Sequence, residues 1–207
     1  MLSYSVIGLS ILLILFIYII ITLPLDILTY TKSSSSVEKN CAPSIQFNVV
    51  LLFVSLSTLY IWVLFILIPI DVILGLNFLY NPLFTDLEPF LSILQIIGVI
   101  LLFAGTFVAC WGRISRGKRA FSWGIPRKLE TEGIFQYIRH PLYASYCYYF
   151  LGIVFILQSL IVFPILIGIY GYYEHSKYEE EILVNIFGQE YQDYQQKVGR
   201  FFPRFQR

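Results

Sequence analysis

The sequence predicts an all-α integral membrane protein of about five transmembrane helices, the last two forming a tight hairpin. Three observations predict it. Of the 207 residues, 57% are hydrophobic and only 13% charged, against about 25% charged in a soluble domain. The apolar residues lie in long blocks instead of periodic stripes. The lysines and arginines are confined to three of the segments between and after those blocks.

Crossing the hydrocarbon core takes about 20 mostly apolar residues. Val6–Leu23 is the first such block, ended by Pro24, and Ile45–Ile70 and Phe90–Trp111 are the second and third. The fourth region, Leu142 to Tyr173, has 32 residues, too many for one span and few for two. Gln158-Ser159 sits at its middle and Pro164 follows shortly, which predicts a helical hairpin. The first block has no basic n-region and no A-x-A-like site, so it reads as a span and not as a cleavable signal peptide.

The basic residues test the count. Lys32 and Lys39 lie between spans one and two, and none lies between spans two and three, Asp71 to Pro89. Arg113, Arg116, Lys118, Arg119, Arg127, Lys128 and Arg139 lie between spans three and four. Lys177, Lys197, Arg200, Arg204 and Arg207 follow span five. Five spans therefore place all fourteen on one face, which the positive-inside rule makes cytoplasmic. The N-terminus is then outside and the C-terminus inside. The chain divides into residues 1–112, with three spans, and 113–207, with a polar loop, the hairpin and a helical tail. Ser33-Ser34-Ser35-Ser36 reads as linker.

Several classes are disfavoured. A net charge of +1 argues against a nucleic-acid partner, which needs a concentrated basic excess. Cys41, Cys110 and Cys147 match no metal, haem or redox spacing, so no metal is expected. A transporter or scaffold is disfavoured because the ionisable residues avoid the spans, whereas transport sites place them at mid-membrane.

Two cytoplasmic segments carry residues suited to chemistry. In Arg139-His140-Pro141-Leu142-Tyr143, Pro141 biases His140 toward extended backbone and suits the first turn of the following helix. His140 then lies at the membrane surface, at a helix N-terminus whose free N–H groups attract anions. The plain alternative is a basic, aromatic interface anchor. In the tail, Glu179-Glu180-Glu181 precedes Leu183, Phe187 and Tyr191, which share a helical face until Gly188 interrupts. A run of glutamates alone is usually a solvated face.

Together these segments resemble the isoprenylcysteine carboxyl methyltransferases and their phospholipid methyltransferase relatives. The resemblance rests on Arg139-His140-Pro141-Leu142-Tyr143, an apolar hairpin, Glu179-Glu180, and then Phe187-Gly188 with Tyr191 and Tyr194. Lys128-Leu129, Thr131-x-Gly133 and Arg200-x-x-Pro203 complete the ordered set, from about Ala120 to Phe205. The resemblance implies S-adenosylmethionine as cofactor, with the tail as a helical cap over it. Backbone at Arg127, Lys128, Leu129 and Glu130 would line the adenosine. Phe135, His140, Pro141, Leu142 and Tyr143 would complete that site, with Glu179 on the α-amino group and Glu180 supporting it. Arg139, His175 and Glu179 are the candidates for a catalytic role.

Three departures bear on the substrate. His175 stands where carboxyl methyltransferases of this family usually carry the arginine that holds the substrate carboxylate. Its charge is conditional, and it lacks the guanidinium fork. Phe135 stands where a tyrosine is common, and Glu130 where an apolar residue is. The leading expectation is O-methylation of the C-terminal carboxylate of a prenylated cysteine, or a similar lipophilic carboxylate, arriving from the bilayer. The alternative is N-methylation of a phospholipid amine, for which His175 and Glu179 are candidate proton acceptors. In a eukaryotic cell the resemblance implies the endoplasmic reticulum membrane.

Overall fold

A computed structural model describes residues 2–33, 49–76, 78–79, 88–116 and 128–204. It contains α1 (Tyr4–Ser33), α2 (Val49–Ile73), α3 (Glu88–Arg116), α4 (Pro141–Leu157), α5 (Ile167–Phe187) and α6 (Gln189–Lys197). Short 3-10 segments, Gly133–Gln136 and Leu160–Leu166, precede α4 and α5. No strand forms among the described residues. Arg127 and Cys41, singled out above, lie outside them.

Tyr4–Leu25, Val49–Ile73 and Pro89–Arg116 are long and apolar enough to cross a membrane. Each runs past the end of the block read from the sequence, at Leu23, Ile70 and Trp111. Pro24 lies inside α1 and Pro69 inside α2. Proline ends helices in water, but membrane helices tolerate it, because neighbouring groups re-satisfy the freed backbone. The helices are apolar all round: Leu9, Phe16, Leu59, Ile66 and Phe107 face outward, while Ile7, Ile11, Ile14, Ile61, Phe65 and Leu102 join residues of α4 and α5 in one core.

Asp71, read as a loop residue, is buried in the last turn of α2. It accepts the Tyr4 hydroxyl at 2.6 Å and the amides of Phe78 and Leu79 at 3.2 Å. It thus ties the start of α1 to the end of α2.

α3 and α4 pack closely because α3 carries Gly98, Gly105 and Gly112 at seven-residue spacing. A Cβ at Gly98 would lie 2.7 Å from the Gly152 carbonyl oxygen, and one at Gly105 2.9 Å from the Tyr149 ring. One at Gly112 would touch Pro141 at 3.4 Å. The partners run backward along α4, so the two helices are antiparallel.

α4 and α5 form the expected hairpin. The Tyr143 ring faces His175 at 5.8 Å, Tyr146 stacks on Tyr172 at 5.1 Å, and Phe150 abuts Gly168. The reversal comes at Gln158, one of the Gln158-Ser159 pair expected to break the run, in left-handed conformation with φ 50°. Its side-chain amide donates to the Leu91 and Phe155 carbonyls at 2.8 and 3.0 Å, which holds a conformation that non-glycine residues rarely adopt. α4 is shorter than the three long helices, at 17 residues.

Candidate active site

The site is built where the start of α4, the polar end of α5 and the tail converge. Gly133, at φ 61°, opens the 3-10 turn and lies against Ser115, where a Cβ would collide with the hydroxyl. The Ser115 hydroxyl accepts the Ile134 amide at 3.2 Å. This turn leads to His140, and Pro141 takes the first position of α4 as expected.

The tail pairs with the same segment. The amides of Arg139 and His140 donate to the carbonyls of Gly199 and Arg200 at 2.9 and 3.1 Å. The Tyr194 hydroxyl donates to the Phe135 carbonyl at 2.6 Å. Leu129, Tyr191, Tyr194 and Val198 bury one another, with Leu183, Val184 and Phe187 against them. The Phe135 side chain is buried among Val108, Ile134, Ile138 and Ala144.

Glu179 and Glu180 separate sharply. The Glu180 side chain is 4% exposed. Its Oε1 accepts Arg139 Nε at 3.0 Å, Arg200 Nε at 3.0 Å and faces His140 Nε2 at 3.1 Å. Its Oε2 accepts Arg200 Nη2 at 2.6 Å and Gln195 Nε2 at 3.0 Å. Arg139 Nη1 donates in addition to the carbonyls of Gln195 and Val198. Glu180 is thus saturated by the chain's own donors and joins α5, the start of α4 and the tail. Arg139 points into that junction.

The Glu179 side chain is 39% exposed. It accepts the Tyr143 hydroxyl at 2.6 Å, with His140 Nδ1 at 3.5 Å and His175 Nε2 at 3.7 Å. The His140 and Tyr143 rings stack at 5.4 Å. His140 therefore stands between two carboxylates. Burial pulls its pKa down, but hydrogen bonds and charge from Glu179 and Glu180 outweigh this and raise it. Burial pushes both glutamates up. For Glu179 the His140 and Tyr143 contacts prevail and lower its pKa. For Glu180, His140, Arg200 and Arg139 hold it well below the usual carboxylate range.

The structure thus gathers Arg139, His140, Pro141, Tyr143, His175, Glu179 and Glu180. Leu129 and Phe135 sit beneath the tail with side chains in apolar clusters, and Lys128 is exposed. Sequence reasoning left three partners unassigned: Tyr172 against Tyr143 at 5.0 Å, Gln195, and Arg200 as a ligand of Glu180. Arg200 was visible as part of the closing motif, but nothing in its spacing named its partner.

A region that includes the helical part of this site, from α3 to the start of α6, matches known proteins. Residues 93–190 match the phospholipid methyltransferase family. A protein-S-isoprenylcysteine O-methyltransferase of Tribolium castaneum is 35% identical over 81 residues, covering 36% of this chain and 27% of that protein. Protein-S-isoprenylcysteine O-methyltransferase B of Arabidopsis thaliana is 35% identical over 79 residues, 37% of this chain and 40% of its own. The chain thus spans less than half the length of these relatives. The resemblance read from the motifs is borne out, and the matched region is similar to that of methyltransferases. It begins inside α3, upstream of the boundary at 113.

Proposed function

We propose that this chain is an S-adenosylmethionine-dependent methyltransferase acting at the membrane–cytosol boundary on a lipophilic carboxylate, most simply that of a prenylated cysteine. The observation that carries the reading is Glu179: a carboxylate 39% exposed, between two histidines and a tyrosine, on a segment matching methyltransferases. The fully paired Glu180 beside it has no such freedom.

The cofactor is a zwitterion with a sulfonium, and it supplies an electrophilic methyl group. The donor set fits it. Glu179 would take the ammonium, displacing its hydrogen bond from Tyr143. The first turn of α4 offers N–H groups suited to the cofactor's carboxylate. Backbone near Lys128–Glu130 would border the adenosine. Arg139 and Glu180 would act as positioning residues, holding the tail against His140 so that the site stays dry.

A carboxylate substrate is ionised at neutral pH, so it would accept the methyl group that the cofactor would supply without a general base from the chain. What the chain contributes is alignment and exclusion of water. His175, protonated, would orient the substrate anion. A second reading, N-methylation of a phospholipid amine, draws on the same residue: neutral His175 beside Glu179 is placed to take a proton. In either case we place five spans in the membrane, with the N-terminus outside and the tail cytoplasmic as a cap.

Methyl transfer to N-acetyl-farnesylcysteine and to phosphatidylethanolamine, with protein in lipid vesicles, separates the two. Base-labile ester from the first and nothing from the second is expected. Methylated amine alone would replace the carboxylate reading with the other, and no transfer to either would remove both.

A further inference from the structure

We propose that the end of the C-terminal tail re-enters the bilayer, with Phe202 lodged against lipid as an anchor. Depth, exposure and a single tight turn place it there, given α3 and α4 in the membrane.

The depth scale comes from aromatic residues. Trp111 and Tyr137 pack at 6.0 Å, and Tyr137 is exposed, at the level where Gly112 meets Pro141. Aromatic residues of this kind mark the headgroup level. Tyr148 lies seven residues beyond Pro141 along α4, its Cα about 10 Å deeper at about 1.5 Å per residue, and its ring leans back toward the helix N-terminus, to a level between that depth and the headgroups. The Phe202 ring sits 5.9 Å from that of Tyr148 and is 63% exposed. An exposed ring at that depth meets acyl chains and not water.

The chain reaches this place by doubling back. Gly199 and Arg200 are held at the surface by the amides of Arg139 and His140. A Cβ at Gly199 would collide with the Phe202 carbonyl oxygen, so this reversal requires glycine. The reversal sends two neighbouring rings to different places. Phe201 turns to the site, edge-on to His140 and to Tyr173, each at 6.4 Å. Phe202 turns outward along α4. Arg204 then returns to the polar side, donating to the Gln196 carbonyl at 2.8 Å. One turn thus carries both the ring that covers His140 and the ring that faces lipid, so the bilayer helps to set the position of the tail over the site.

The test is nitroxide accessibility in phosphatidylcholine vesicles. A label is placed at position 202, or as controls at lipid-facing Phe107 and exposed Glu190, in a chain whose three cysteines are replaced by serine. At 202, collision with oxygen should exceed collision with a water-soluble nickel chelate, as at 107, with the reverse at 190. Nickel accessibility at 202 equal to that at 190 overturns the proposal. A second measurement uses the unaltered chain with a diazirine confined to the acyl region. Label on the peptide containing Phe202 supports insertion, and a peptide as unlabelled as that containing Glu190 contradicts it. Neither readout depends on methyl transfer.

Discussion

His140 is the residue through which the two glutamates are joined. With Nε2 on Glu180 and Nδ1 toward Glu179, it has carboxylates on both sides that favour its imidazolium form. Its raised pKa means it contributes stability fully below its ordinary value near 6.5, lost as pH rises through the raised one. The glutamates contribute above their ordinary value near 4.5, lost as pH falls through their lowered ones. Thermal stability in detergent should therefore plateau between about pH 4.5 and 6.5 and decline on both sides. His140→Gln should flatten the alkaline decline, and an unchanged alkaline limb in that variant would refute the assignment. That Arg139, His140 and the glutamate pair meet was legible from the ordered motif. Which glutamate is buried was less so, since adjacent helical residues point about 100° apart and only the packing of α5 against the tail fixes which faces inward.

At the scale of elements, the α3–α4 contact does most to place the site, because it fixes the N-terminus of α4 against α3. Its signal, glycine at 98, 105 and 112, stands in the sequence, but span length and hydropathy do not report it. In membranes small residues let helix backbones approach. Gly105→Leu should force α3 from Tyr149 and destabilise the protein by about 1–3 kcal/mol, typical of overpacking. The check is the thermal midpoint in detergent, and an unshifted midpoint would show that the helices are not held this closely. The hairpin turn at Gln158 was legible because a polar pair interrupts the apolar run. The helix ends were not. Pro24 and Pro69 are read as stops by rules drawn from water, and the bilayer relaxes those rules.

At the scale of the molecule, all-α architecture and a polar site at one end follow from composition and from where the basic residues fall. The tail's contribution could not be read the same way. Its grip on Glu180 and its backbone pairing with Arg139 and His140 are contacts between residues tens of positions apart, which no local pattern reports. We propose that this convergence makes Glu179 the cofactor's ammonium ligand. Binding of labelled S-adenosylmethionine to detergent-purified protein tests it most directly, comparing wild type with Glu179→Gln and His175→Gln. A charge-assisted hydrogen bond is worth about 1.5–3 kcal/mol, so Glu179→Gln should weaken binding by roughly 10- to 100-fold. His175→Gln should leave it within about threefold, a difference under 1 kcal/mol. Equal binding by wild type and Glu179→Gln, or none by the wild type, would contradict the account.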